Sequence, residues 1–216
     1  MPLGDADPAH VEGALGGGGE AHPPTFTPAL NFPVIGIGAS AGGLAAFEAF
    51  FSELPKEDLG MAFVLVQHLA PDHKSILHEI VGRYTRMQVH EATDGVKVGA
   101  NCTYIIPPNK DMALVGGELR LTSPTTARGN LRLPIDFFFR SLAREQGERA
   151  ICVVLSGTGS DGTLGLRAIK GEGGMAMAQA PETTEHDGMP RNAIATGLVD
   201  YVLPAREMPA QLMAYV

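Results

Sequence analysis

Three side chains in this sequence have the types and settings that acyl transfer requires. Ser40 stands in the run Gly36-Ile37-Gly38-Ala39-Ser40-Ala41-Gly42-Gly43, where a short apolar stretch gives way to a helical pattern. Small neighbours let the backbone turn sharply there and let a carbonyl group come close to the hydroxyl. The N–H groups that open the following helix point at the same place and favour negative charge. This is the logic of a nucleophile elbow, although the spelling differs from G-x-S-x-G. His68 closes a second apolar run, just before Leu69-Ala70-Pro71. Imidazole titrates near neutral pH, so it can take a hydroxyl proton and return it. Asp161 lies in the glycine-rich turn Leu155-Ser156-Gly157-Thr158-Gly159-Ser160-Asp161-Gly162-Thr163. A carboxylate at a helix start is held in its ionised form by the dipole. From there it can fix one imidazole tautomer and stabilise the imidazolium.

Each feature also has a plainer reading. Ser40 and Asp161 are residue types that cap helices, and His68 could be a partly buried histidine with its hydrogen bonds satisfied. Gly36-x-Gly38-x-x-Ala41 matches the dinucleotide fingerprint as well. That fingerprint needs an acidic residue about 20 positions on, at the end of the second strand. The second strand here ends at Gln67-His68, and Asp58 falls in the polar connection before it, so the nucleotide reading fails in its own context. The turn around Asp161 could pass for a phosphate loop, but it has no Walker lysine. The plain readings weaken when the three residues are taken together, because each would stand at the same edge of one sheet. The chain order Ser, His, Asp is not that of the usual α/β-hydrolases, so the trio is recognised by role rather than by order.

The elements that must position these residues alternate in type. Apolar runs at 33–38, 61–67, 102–106, 149–155, 174–179 and 198–203, with a short one at 88–91, read as strands. Helical patterns fall at 41–54, 73–86, 134–146, 163–172 and 204–216, with another started by Pro190. Two alternating runs in 111–122 flank Gly116-Gly117 and read as a β-hairpin. Continuous apolar strands alternating with helices imply an α/β fold. It would be a doubly wound, mostly parallel sheet with helices on both faces and the hairpin at one edge. Ligands in such sheets sit beyond the carboxyl ends of the strands, which is where Ser40, His68 and Asp161 fall. Residues 1–30 carry a four-glycine run and Pro23-Pro24 with little apolar periodicity, and read as a disordered arm ahead of one domain over 31–216.

Composition narrows the function classes. The chain has 216 residues, 44% hydrophobic, with a formal net charge of -8. That balance argues against a nucleic-acid partner. No run of about 18 apolar residues predicts a membrane span, and the first residues lack the basic and apolar stretches of a secretory signal. Cys102 and Cys152 lie in apolar runs without a CxxC neighbour, which favours buried thiols in a reducing compartment over a zinc or dithiol site. His186 beside Asp187 is too sparse a pair to predict a metal. His73, His78 and His90 read as solvated or partly buried, and Met175 with Met177 as core.

The strings GASAGG around Ser40, VQHLAP around His68, LSGTGSDG around Asp161 and Asp187-Gly188-Met189-Pro190-Arg191 resemble, in that order, the catalytic domain of the chemotaxis protein-glutamate methylesterases, the CheB family. The resemblance runs from Phe32 to the end of the chain. It implies that Ser40, His68 and Asp161 are a catalytic triad. It further implies hydrolysis of γ-glutamyl methyl esters on the cytoplasmic helices of chemoreceptors, and deamidation of receptor glutamines, with no cofactor or metal. Two departures stand out. Ala41 replaces a threonine that family members often carry after the nucleophile, and no receiver domain is expected in residues 1–30. LPIDFFFRSLA and GLVDYVLP resemble the subtype fused to methyltransferase and sensor domains. In a cytoplasmic enzyme of this kind, the oxyanion donors are expected at the backbone of Thr158 and Ala41. Arg191, a cation near a helix start, is expected at the rim against acidic receptor residues. The competing reading is a non-catalytic receptor- or partner-binding module that retains the fold.

Overall fold

The computed structural model describes residues 30–67, 74–124 and 132–216. In chain order the strands are β1 (Val34–Ala39), β2 (Ala62–Gln67), β3 (Gln88–Glu91), β4 (Val96–Lys97), β5 (Cys102–Ile105), β6 (Asp111–Val115), β7 (Glu118–Thr122), β8 (Ala150–Val154), β9 (Met175–Gln179) and β10 (Tyr201–Leu203). The helices are α1 (Gly43–Phe51), α2 (Lys74–Tyr84), α3 (Pro134–Gln146), α4 (Thr163–Gly171), α5 (Gly188–Ile194) and α6 (Met208–Tyr215). Apart from Leu30, the arm expected at 1–30 lies outside the described residues, as does most of the expected loop at 123–133.

Seven strands pair in parallel in the order β10-β9-β8-β1-β2-β5-β3. The central strands are apolar at nearly every position because both of their faces are covered. Val34, Val64, Val66, Cys152, Val154, Ala176 and Ala178 face one side, against Phe138, Phe139, Leu142, Leu166 and Met189 from α3, α4 and α5. Ile35, Ile37, Phe63, Leu65, Ile151, Val153, Met175 and Met177 face the other, against Phe47, Phe50, Phe51, Leu77 and Leu212 from α1, α2 and α6. Phe50, Phe51 and Phe63 meet edge to face, with centroids 5.4–6.0 Å apart, an arrangement aromatic quadrupoles favour.

The hairpin forms where Gly116-Gly117 predicts it, both glycines having positive φ. It does not extend an edge of the main sheet. It joins β4, a strand the sequence reading missed, in a separate antiparallel sheet β4-β7-β6 that packs on α3. Helix α5 begins at Gly188, two residues before Pro190. No helix among the described residues is long and apolar enough to cross a membrane.

The glycines of the nucleotide-like string have a packing role. Gly36 and Gly38 lie inside β1, under α3. A Cβ on Gly36 would stand 2.9 Å from the Phe139 ring, and one on Gly38 would stand 2.4 Å from Ile135 Cγ2. Their missing side chains make room for a helix, not a pyrophosphate. Gly38→Ala is therefore expected to destabilise the fold by about 2 kcal/mol through overpacking. A urea unfolding midpoint unchanged from wild type would contradict this.

Candidate active site

The sheet order places a topological switch between β1 and β8. The chain leaves β1 toward β2 on one side, and β8 later arrives on the other. A crevice opens beyond the carboxyl ends of strands at such a point. Ser40 immediately follows β1, and the Ser156–Gly162 turn follows β8.

One bond joins these two turns and another tightens the first. The Ser40 N–H donates to Ser156 O at 3.0 Å, and the Gly43 N–H returns to Ser40 O at 2.9 Å. Gly157 lies so close that a Cβ on it would stand 3.0 Å from Ser40 Cβ. Helix α1 is preceded by Gly42 at φ 73, with no side-chain cap. The capping alternative for Ser40 thus finds no bond to rest on among the described residues. A side chain at 42 would also meet Ser156 Oγ at 2.6 Å, so glycine is needed there for both conformation and space. The backbone N–H groups of Ala41 and Thr158, the two expected oxyanion donors, have no acceptor among the described residues.

Ser156, given no role from sequence, is the post that joins three segments. It is buried, and its Oγ lies 3.0 Å from Ala41 O, 3.2 Å from His186 O and 3.1 Å from the His186 N–H. Its own N–H donates to Gln179 Oε1. The Gly157 N–H donates to His186 O, the Met189 N–H to Gly157 O, and Asn192 Nδ2 to Gly159 O. The Gly-Met-Pro-Arg segment is in this way laced to the turn beside the serine. Between them lies a cleft of about 410 Å³ lined by Thr158, Gly159, Thr184, Glu185, His186, Asp187 and Gly188. Gln67, also unassigned from sequence, is buried at the end of β2 with its Nε2 3.4 Å from Ser40 O. Only its position next to His68 could have drawn notice to it.

Asp161 is buried, and it does cap a helix, but not the one that follows it. Its Oδ1 accepts from the N–H groups of Asp136 (2.8 Å) and Gly162 (2.9 Å), and its Oδ2 from Ile135 (3.1 Å). Two of these donors, Ile135 and Asp136, open α3, 26 and 25 residues earlier in the chain. His68 itself, one residue past the end of β2, lies outside the described residues, as does His73.

Arg191, one turn into α5, is paired with an acid of its own chain. It is exposed at the middle of the seven-residue α5, and its Nε donates to Asp187 Oδ2 at 2.6 Å. His186 faces Glu185 at 3.7 Å, so it and Asp187 are engaged by different partners. His78 is exposed and lies 3.1 Å from Val89 O, while His90 lies against the Tyr104 ring. Met175 and Met177 are core residues, and both cysteines are free thiols. Burial pushes the Cys152 thiol well above its ordinary value.

The CheB methylesterase family profile matches residues 35–212. A protein-glutamate methylesterase/protein-glutamine glutaminase of Moorella thermoacetica is 32% identical over 217 residues, covering 99% of this chain and 50% of the relative. An uncharacterized 104.1 kDa protein of Rhodobacter capsulatus is 48% identical over 124 residues, which are 57% of this chain and 13% of that one. The chain therefore spans half or less of the length of these two relatives. The crystal structure of the Thermotoga maritima CheB methylesterase catalytic domain superposes with a TM-score of 0.79 at 30% identity. It covers 87% of this chain and 100% of that domain.

Two outcomes follow from the geometry. Ser156→Ala removes the shared hydroxyl and leaves polar backbone groups without it, so stability should fall by about 1–3 kcal/mol, read as a lower urea midpoint. The second concerns Asp136. Burial pushes its carboxyl above the ordinary range, the Gly165 N–H opposes the rise, and the Asp161 carboxylate adds to it. A raised acid binds more protons folded than unfolded. Stability from this group is therefore full below the ordinary Asp value near 4 and falls as pH rises through the raised value. Asp136→Asn should remove that falling component from the stability–pH curve, and an unchanged slope would contradict the assignment.

Proposed function

The chain belongs to the CheB methylesterase family, and we propose that it hydrolyses γ-glutamyl methyl esters on the cytoplasmic signalling helices of chemoreceptors or related signalling proteins, and deamidates glutamines there. The observation that carries this reading is the joined pair of turns at the β1/β8 switch point. Ser40 stands there with its own N–H bound to Ser156, while the neighbouring N–H groups of Ala41 and Thr158 have no acceptor among the described residues.

On this reading His68 takes the Ser40 proton as the oxygen attacks the ester carbonyl. The tetrahedral oxyanion is held by the N–H groups of Ala41 and Thr158, where loss of one such donor typically costs on the order of 10²–10³ in rate. Collapse expels methoxide, which takes the proton from His68 and leaves as methanol. Water then attacks the acyl-enzyme, with His68 again as base, and releases the glutamate carboxylate and free Ser40. For glutamine the leaving group is ammonia. Asp161 orients His68, held in place by the three N–H donors that fix its carboxylate. No step needs a cofactor. The enzyme acts in the cytoplasm, on residues 31–216 as its catalytic domain, fused to or associated with methyltransferase and sensor domains. Arg191, already partnered by Asp187, contributes its remaining guanidinium N–H groups to acidic receptor residues.

Ser40→Ala should abolish methanol release from a methyl-esterified chemoreceptor cytoplasmic fragment while changing the unfolding free energy by less than about 1 kcal/mol, since the half-buried hydroxyl makes no bond among the described residues. Methanol release retained in that variant would sink the nucleophile. Receptor binding without turnover in the wild type would point to the non-catalytic module instead.

A further inference from the structure

Asp136 is the buried acid that this mechanism leaves unused. It lies in the first turn of α3, 3% exposed, with the Asp161 carboxylate and the Arg140 guanidinium as the charges that act on it. Its Oδ1 accepts from the Gly165 N–H at 2.7 Å, and its Oδ2 is buried with no partner among the described residues. A carboxyl group in such a place is unfavourable unless its bonds do something an apolar residue could not.

Its bonds close a ring with Asp161. The Asp136 N–H donates to Asp161, and the Asp136 side chain accepts from Gly165, four residues after Asp161 in the chain. Helix α4 opens on Gly162 at φ 90 with no side-chain cap of its own, so the chain turns there and Asp161 reaches α3 instead. The first turn of α3 is thus held by Asp161, from the turn that leads into α4, and the first turn of α4 by Asp136 of α3. Gly165 allows the close approach this needs. A Cβ on it would stand 2.5 Å from Phe139 Cβ and 3.1 Å from Asp136 Cα. The Asp161 carboxylate is fixed by N–H groups of α3, and the start of α3 is fixed against α4 by Asp136.

We propose that Asp136 is a positioning residue for Asp161, setting the orientation of that carboxylate by pinning the first turn of α3 to the first turn of α4. The proposal rests on the reading of Asp161 as the group that orients His68. If the Asp136–Gly165 bond is lost, Ile135 and Asp136 can shift with the helix start, and they carry two of the three N–H donors with them. A displacement of about 1 Å in a catalytic array can lower a rate on the order of 100-fold.

The test compares Asp136→Ala, Asp136→Asn and Asp161→Asn by methanol release from a methyl-esterified chemoreceptor cytoplasmic fragment. In Asp136→Ala, kcat should fall on the order of 10–100-fold with KM unchanged. The acid limb of the kcat/KM profile should move to lower pH, because a misdirected carboxylate stabilises the imidazolium less. Asp136→Asn keeps an Oδ1 acceptor for Gly165 and should restore both kcat and the acid limb. A wild-type kcat in folded Asp136→Ala overturns the proposal. So does a loss that Asn fails to rescue, or one that leaves the acid limb in place, since a merely structural role would behave that way. Should Asp136→Ala fail to fold, Gly165→Ala strains the same contact from the other helix and should give the same loss of kcat and the same shift. Wild-type turnover in Asp161→Asn would remove the Asp161 reading itself, whatever Asp136 does.

Discussion

Helix α3 can lie against β1 only because Gly36 and Gly38 present no side chains to it. This contact governs much of the molecule. It sets Ile135, Phe138, Phe139 and Leu142 over the centre of the sheet, and from the same helix Asp136 and the N–H groups of its first turn reach the Asp161 loop. The three-stranded sheet that carries the hairpin packs on the outer side of α3. A methyl group at either glycine would lift the helix, and with it the donors that hold Asp161, so a requirement of core packing becomes a requirement of the site.

The site itself is built from backbone more than from side chains. Ser156 joins the β1 turn, the β8 turn and the segment before α5, and most of the bonds among them involve main-chain N–H and C=O groups. Such a framework tolerates little local change, because a buried carbonyl or N–H left without its partner carries its full desolvation penalty. Ala41 fits this picture. What position 41 gives the site is an N–H with no acceptor among the described residues and a carbonyl held by Ser156.

Much of this was legible in the sequence, for definable reasons. Strands such as Val34–Ala39 and Ala150–Val154 are covered on both faces, so their apolar runs are continuous and unmistakable. Helix α3 was exact because Pro134 marks its start and its apolar positions repeat with helical period. Strand β4 was missed because two residues carry no periodicity. The place of the hairpin was misjudged because strand pairing is set by distant partners, not by the turn. The glycine string was ambiguous because a glycine reads the same whether it admits a phosphate, a sharp turn or a helix. The cap on α3 was hidden entirely, since its acceptor, Asp161, lies 25 residues from the donor on Asp136.

The strand order has a bearing on biogenesis. β1 pairs on one edge with β2, made soon after it, and on the other with β8, which follows at residues 150–154. A chain emerging from the ribosome can assemble β1, β2, β5 and β3 early, but the second edge of β1 then stays open, an apolar strand with unpaired backbone groups and a hazard for aggregation. Ser40 cannot find the carbonyl of Ser156 until that edge is filled. The turn that carries the nucleophile is therefore completed late in synthesis, and a nascent or truncated chain lacking β8 holds the serine without the framework that would make it reactive.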